Sequence, residues 1–422
     1  MKKIKLFLML TLFIFLTSCE KNNNIVKNPV DLVKTNLEYV KEITSESIYT
    51  KCYKNNDDTY TMYLFSSPVA FEKDDKIIEI DNSIVKSDNS EYIFMNKCND
   101  IKVYFFENGF NIINNIENIK IIFEESKCIE KTNFNNLFGE KVQAIKYKLG
   151  KNNLLYVYPT TGGVNFEFEI NNKEDIKISI YSENDFEVND KEKYIIFNGI
   201  NKYLFYPPIN YDEYTMPNFT VSKTKNVFNL SFNFENNYKY CGAFDVYRNK
   251  IPDSAVYSNY KENLYLNNYS VIGNSSIFGK GLNYIRFRPS FIFDIDKSNI
   301  LESEFYIKNL RKNVILKEIN LKRVTEQWSS QNITWNSKVN YSEIISTGNY
   351  EKGYYVFNVK KFVEDCFSDN MLESLGGVIE SKENDYVILA SSDNSFYPTV
   401  MKIKMAEYPV SVKEKTNINP IN

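Results

Sequence analysis

The sequence contains no histidine among its 422 residues. That absence excludes Ser-His-Asp and Cys-His nucleophile systems, histidine general bases, and histidine-ligated zinc or iron sites. Any chemistry must therefore depend on carboxylates, lysine, tyrosine, cysteine or a metal bound through oxygen. The formal net charge is only −3, from 51 basic and 54 acidic side chains. The chain thus lacks the basic excess of general nucleic-acid binders, and we expect no nucleic-acid partner.

Glycine and proline are also scarce, at 14 and 11 residues, and there are only 2 tryptophans. This composition excludes collagen-like and low-complexity chains. What the sequence has in abundance is 32 tyrosines and 31 phenylalanines. Aromatic and β-branched residues favour strands, and the length suits two or three domains with substantial cores. We therefore predict an all-β protein.

The cysteines lack any C-x-x-C pair and are widely spaced, so we expect neither a disulfide framework nor a thiolate metal site. A Cys98–Cys128 bridge is the one alternative, and small buried apolar groups are the main expectation for Cys52, Cys98, Cys128, Cys241 and Cys366. The oxygen-rich segment 294–299 lacks the glycine and the final glutamate of an EF-hand loop. We predict no metal and no cofactor.

The N-terminus has the pattern of an export signal. Lys2, Lys3 and Lys5 precede an apolar run from Leu6 to Leu16, which is shorter than the roughly 20 residues that span a bilayer. The run ends in Leu-Thr-Ser-Cys19, which resembles the lipobox of bacterial lipoproteins. The resemblance implies that residues 1–18 are a lipoprotein signal peptide and that Cys19 carries a lipid. An ordinary secretory signal is the alternative.

A diacylglyceryl group on Cys19 would anchor the mature chain stably, since each buried CH₂ contributes roughly 0.8 kcal/mol and two acyl chains suffice. We therefore expect the cell membrane as a partner, with the protein on its extracytoplasmic face. Residues 19–47 are predicted to be a lipidated tether.

Two strand-rich blocks follow. Residues 48–248 alternate apolar and polar side chains, which predicts strands with one buried and one wet face. The Asn108-Gly109 pair between alternating runs predicts a hairpin. Residues 249–406 form a second block, with one helical pattern at 359–367, and 407–422 form a polar tail.

Both tryptophans, Trp328 and Trp335, lie in the segment 323–337, and Arg286 begins an earlier strand. With the helical segment and the strands after it, these residues resemble the DNRLRE domain, a family of secreted β-sandwich modules. The resemblance implies an antiparallel, jelly-roll-like β-sandwich over 249–406, with Trp328, Trp335 and Arg286 as its fold signature. Residues 57–83 resemble the segment that precedes such modules in wall-associated and RHS-type surface proteins.

Trp328, beside a polar loop, is a candidate platform for sugar rings, while Trp335 shares a face with Ile333 and is expected in the core. The alternative is that both tryptophans pack internally. A second candidate is the tyrosine-rich segment 203–214, which Pro207-Pro208 stiffens. It predicts either an exposed ligand-binding loop or a loop folded over the first core, and its candidate ligand residues are Tyr206, Tyr211 and Tyr214.

These features predict a non-catalytic extracellular surface lipoprotein that binds cell-envelope or extracellular polysaccharide. One alternative is a structural or adhesion protein that binds a protein partner through exposed strand edges or the tyrosine-rich segment. A second is a histidine-independent polysaccharide-degrading enzyme. We assign no catalytic residue, because sequence neighbours such as Glu302 and Glu304 do not establish carboxylates that face each other across a cleft.

Overall fold

The computed structural model describes residues 25–33, 39–43, 47–114, 117–183, 185–189, 194–235, 237–248, 251–287, 293–367 and 375–411. The predicted signal peptide, Cys19 and most of the polar tail lie outside these ranges. Within them the regular secondary structure is nearly all antiparallel strand, which confirms the all-β prediction. The helices are α1 (Val30–Val33), α2 (Lys360–Cys366) and a 3-10 turn (Lys297–Asn299).

The first strands are β1 (Tyr39–Ile43), β2 (Thr50–Asn55), β3 (Tyr60–Phe65), β4 (Ala70–Lys73), β5 (Lys76–Glu79), β6 (Asp81–Lys86), β7 (Phe94–Cys98), β8 (Lys102–Phe106), β9 (Gly109–Asn114), β10 (Glu117–Phe123), β11 (Ser126–Asn135), β12 (Lys141–Leu149), β13 (Asn153–Pro159), β14 (Gly163–Glu169), β15 (Asp175–Tyr181), β16 (Asp185–Asn189), β17 (Tyr194–Asn198), β18 (Lys202–Ile209), β19 (Asn218–Thr224), β20 (Val227–Asn233) and β21 (Lys239–Val246). The remaining strands are β22 (Asp253–Tyr257), β23 (Tyr269–Ser275), β24 (Gly279–Ile285), β25 (Phe293–Asp294), β26 (Ile300–Lys308), β27 (Ile319–Val324), β28 (Tyr341–Thr347), β29 (Asn349–Glu351), β30 (Tyr354–Asn358), β31 (Gly377–Ser381), β32 (Tyr386–Ala390), β33 (Val400–Met405) and β34 (Val410–Ser411).

The first sandwich consists of two eight-stranded sheets. Sheet I has the order β19-β20-β15-β10-β9-β8-β7-β6, and sheet II has the order β11-β12-β13-β14-β21-β18-β17-β16. Alternate residues of both sheets, such as Val103 and Phe105 of β8, point into one apolar core. The predicted hairpin is present between β8 and β9. Its turn is Glu107–Asn108, and Gly109 opens β9 where a Cβ would lie 2.0 Å from the Ile121 carbonyl oxygen.

The second sandwich has seven strands in each sheet. Sheet III has the order β1-β2-β3-β33-β26-β30-β29, and sheet IV has the order β28-β27-β31-β24-β23-β32, with β22 also paired to β24. Its core includes Ile307, Phe357 and Ile379, and the predicted helix α2 buries Phe362 and Val363 against it. Two short pairs, β4-β5 and β25-β34, lie outside these sheets.

The first sandwich does not begin at the predicted residue 48, and β1, which lies in the predicted tether 19–47, is a strand of the second sandwich. Strands β1–β3 belong to the second sandwich, because β3 pairs with β33 in the register Met62↔Ile403 and Leu64↔Met401. The first sandwich therefore begins at β6. The alternation of β3 predicts a strand, but the strand that pairs with it, β33, lies more than 300 residues further along the chain.

The sandwiches meet through the outer face of sheet II. Tyr158 projects from this face into a cluster that also holds Tyr257 and Tyr269 of the second sandwich. A buried ion pair crosses the same junction, where the Lys308 ammonium lies 2.6 Å from Glu140 and 5.1 Å from the ring of Tyr397. Apolar, aromatic and ionic contacts thus join the two units.

Candidate binding site on an outer sheet face

The structure places Trp328 inside the second sandwich, where its side chain is only 8 % exposed. Its indole nitrogen donates to the Leu375 carbonyl at 2.7 Å. The Arg286 guanidinium lies 4.7 Å from the indole ring and donates to the Trp328 carbonyl at 2.7 Å. Two of the three predicted fold-signature residues therefore contact each other, and no open ring face of Trp328 is left for a sugar.

Trp335 is the more exposed of the two tryptophans, which reverses the expectation from the sequence. It is half-buried against the cluster that holds Trp328, and the Lys338 ammonium lies 4.3 Å above its ring. The expectation assumed that Trp335 shares a face with Ile333, as it would in a strand. Ile333 is buried in that cluster, but the segment consists of turns, in which residues two apart need not share a face.

The tyrosine-rich segment is not an exposed loop. Most of it forms β18, and Tyr206 is buried with its hydroxyl donating to the Leu266 carbonyl at 2.8 Å. The hydroxyls of Tyr214 and Tyr269 lie 2.8 Å apart, and Tyr211 packs edge-on to Phe138. These tyrosines are part of the junction between the sandwiches. The segment is therefore folded over the first sandwich and is not an exposed ligand-binding loop.

Buried carboxyl groups lie beside this junction. Asp245 accepts hydrogen bonds from Ser395 at 2.6 Å and Thr160 at 3.0 Å, and burial raises its pKa to about 7 despite those bonds. Burial likewise raises the pKa of Asp253, which accepts from Ser392, to about 6. Among the described residues no group of three acidic, cysteine or histidine side chains is placed to hold a metal ion.

No disulfide bond joins any two of the described cysteines. Cys52, Cys241 and Cys366 are buried and pack as small side chains, while Cys98 and Cys128 are only half-buried. Burial raises the pKa of the Cys52 thiol to about 12, so this thiol is not poised to react as a thiolate.

An exposed aromatic surface lies instead on the outer side of sheet I. One row of outward positions crosses four adjacent strands, from β8 to β15, and the next row crosses five, as far as β20. We call this surface the aromatic face. The first row holds Tyr104, Asn111, Lys120 and Tyr181. The second row holds Phe106, Gly109, Ile122, Ser179 and Asn229. Tyr92 lies over the first row.

Contacts within the aromatic face hold its rings in place. The rings of Tyr92 and Tyr104 lie 4.8 Å apart, and Asn111 donates to the Tyr92 hydroxyl at 2.7 Å. The backbone of the next residue, Ile93, donates to Phe105 at 2.8 Å, which fixes Tyr92 beside β8. The Lys120 ammonium lies 5.1 Å from the Phe106 ring. The surface is therefore organised before any ligand arrives.

Sequence reasoning missed the aromatic face, although β8 carries a signal for it. The strand reads Lys-Val-Tyr-Phe-Phe, with Val103 and Phe105 in the core and Tyr104 and Phe106 half-buried on the other side. A strand with one wet face usually places polar residues there. Aromatic residues on both faces of β8 thus indicated a second use for its outer side.

No family model and no curated protein matches the chain. Among solved structures, it is similar to the N-terminal domain of a Streptococcus gordonii adhesin, at 9% sequence identity and a TM-score of 0.15. The match covers 92% of this chain and 96% of that one. A TM-score this low carries no argument, so the fold is assigned from the strands and sheets described above. Within the described ranges, no helix is long and apolar enough to cross a membrane.

Proposed function

We propose that the protein is a non-catalytic, lipid-anchored binding protein on the extracytoplasmic face of the cell membrane, and that its aromatic face holds a polysaccharide. The observation that carries this proposal is the pair of rows on sheet I, which combine exposed Tyr181 and half-buried rings with the exposed Lys120 ammonium. The second sandwich is proposed to be DNRLRE-like, and the contact between Arg286 and Trp328 supports that part.

Planar rings suit the apolar faces of pyranoses, while neighbouring polar side chains exchange hydrogen bonds with sugar hydroxyls. Adjacent strands are about 4.8 Å apart, so Tyr104 and Tyr181, three strands from each other, are separated by about 14 Å. That span fits a stretch of polymer lying across the strands. Tyr181 is 39 % exposed, so a sugar ring can stack on it.

The binding proposal is tested on the whole chain secreted as the Cys19→Ala variant, with affinity electrophoresis against a panel of envelope polysaccharides. We expect retardation by at least one polymer. Tyr104→Ala and Tyr181→Ala should each weaken it about five- to tenfold, since aromatic contacts contribute roughly 0.5–1.5 kcal/mol beyond their buried area. Tyr238→Ala is the matched control, because Tyr238 is 38 % exposed and lies between β20 and β21, outside the two rows. Equal loss in all three variants, or no retardation by any polymer, would contradict the proposal.

The anchoring proposal depends on Cys19 and has its own test. In the Cys19→Ala variant no diacylglyceryl group can be attached, so the protein should move from the membrane fraction to the medium. Fractionation followed by immunoblotting measures this. Retention of the variant in the membrane fraction would show that the lipid on Cys19 is not the anchor.

Binding of a protein partner is the second candidate, and the edge of sheet II favours it. Strand β11 is ten residues long, ends the sheet and leaves Ile129 49 % exposed. Such an edge offers unpaired backbone groups to an added strand. Cross-linking on intact cells distinguishes the two candidates, because it captures either a glycan or a defined polypeptide.

A further inference from the structure

One cation occupies the middle of the aromatic face. Lys120 lies in the first row, directly between Asn111 of β9 and Tyr181 of β15. Its ammonium is 5.1 Å from the Phe106 ring, and among the described residues no carboxylate forms an ion pair with it. An unpaired charge held over a ring, in the same row as half-buried Tyr104 and exposed Tyr181, is available to a ligand.

The acidic groups near this face lie at its margins. Asp88 is one of them, since burial and then the Asp88 carboxylate raise the pKa of Tyr104. Glu124 approaches the second row only at Ser179, whose hydroxyl donates to it at 2.7 Å. Glu124 comes four residues after Lys120, just past the end of β10, so the two lie about 13 Å apart along the strand direction. The outward positions of both rows contain no carboxylate. The centre of the face is therefore positive.

The polar neighbour of Lys120 also has unused capacity. Asn111 is only 4 % exposed, and its side-chain nitrogen donates to the Tyr92 hydroxyl. The buried amide oxygen of Asn111 has no hydrogen-bond partner among the described residues. A buried acceptor without a donor is uncommon in proteins, and each one calls for an explanation. Asn111 is the direct neighbour of Lys120 across the β9-β10 pair.

We propose that the ligand of the aromatic face is an acidic polysaccharide, whose carboxylate or phosphate groups are bound by Lys120 while sugar rings lie on Tyr104 and Tyr181. This inference rests on the proposed function and names the ligand class for the same surface. The shared chemistry is a repeated anionic group along a polymer. Charge complementarity distinguishes this ligand from a neutral glycan.

The test measures binding of the secreted Cys19→Ala chain to polygalacturonate, to its fully methyl-esterified form, and to a glycerol phosphate polymer. Polygalacturonate and its ester share a backbone and differ only in charge, while the third polymer separates phosphate from carboxylate recognition. We expect one of the acidic polymers to bind and the ester to bind weakly. Binding should weaken as salt rises, because exposed charges are screened.

Lys120→Gln should then reduce binding of the acidic polymer about three- to fivefold, the range of an exposed ion pair, without altering binding of the ester. Lys177→Gln is the matched control, since Lys177 is an exposed lysine on the outer side of the same sheet but outside the two rows. Equal binding of ester and acid, or an unchanged Lys120→Gln variant, would overturn the inference while leaving polysaccharide binding intact. Failure of all polymers would overturn both.

Discussion

The two outer faces of the first sandwich both carry tyrosines, yet their surroundings differ. On sheet II, Tyr158 and Tyr206 point outward and are buried, because the second sandwich lies over them. On sheet I, Tyr104 and Tyr181 also point outward, and among the described residues no element covers Tyr181. One face has its partner within the chain, while the other presents the same kind of side chain to the outside.

An outward tyrosine therefore does not by itself mark a ligand site. On sheet II the hydroxyls have partners within the protein, such as the Leu266 carbonyl for Tyr206. On sheet I the polar groups of Asn111 and Lys120 are incompletely used. Unused hydrogen-bonding and charge capacity, rather than aromatic content, distinguishes the face that we propose to bind a ligand.

The largest expected effect comes from breaking the covered face. Tyr206→Ala should destabilise the protein by about 3–5 kcal/mol, as large-to-small changes at buried aromatic positions do. Tyr206→Phe removes only the bond to Leu266 and should cost about 1 kcal/mol. Denaturant titration measures both variants.

The same titration reports whether the sandwiches unfold together. Both tryptophans lie in the second sandwich, so their fluorescence follows that unit, while circular dichroism follows both. In Tyr206→Ala the two transitions should separate further than in the wild type. Coincident transitions and an unchanged midpoint in that variant would show that Tyr206 does not join the units.

A smaller effect is expected from pH, through Asp245 at the edge of the junction. Burial raises its pKa from 3.8 to about 7, so the folded state binds the proton more tightly than the unfolded state. Its contribution to stability is complete below about pH 4 and is lost as the pH rises through about 7. The wild type should therefore lose more stability between pH 4 and pH 8 than Asp245→Asn, in which the group cannot ionise.

Denaturant midpoints at several pH values measure this difference, and the comparison between variant and wild type removes the contributions of other carboxyl groups. Asp253, with a pKa of about 6, still titrates in the variant, so some dependence should remain. Identical slopes for the two proteins would mean that Asp245 is ionised or solvated in the folded state. Thr160 and Ser395 would then not be holding a protonated carboxyl group.

Alternation along the chain was enough to predict strands, because successive side chains of a strand point to opposite faces of the sheet. It placed Val103 and Phe105 in a core, and helical spacing placed α2 correctly. It could not show what covers each face. The pairing of β3 with β33 and the burial of Tyr206 both depend on segments distant in sequence, and Trp328 is buried by contacts with Arg286 and Leu375 that no local pattern contains.

The smallest expected change in stability is on the uncovered face, and it decides whether the comparison holds. Tyr104→Ala removes a half-buried ring that packs mainly on Tyr92, so the free energy of unfolding should fall by less than about 1 kcal/mol. Denaturant titration beside Tyr206→Ala measures the contrast directly. If Tyr104→Ala destabilises the protein as much as Tyr206→Ala, then Tyr104 belongs to a packed surface and the aromatic face is not free to bind. A small loss of stability together with a clear loss of polysaccharide binding would instead assign Tyr104 to the ligand, because a ring that contributes little to folding has its main contacts outside the chain.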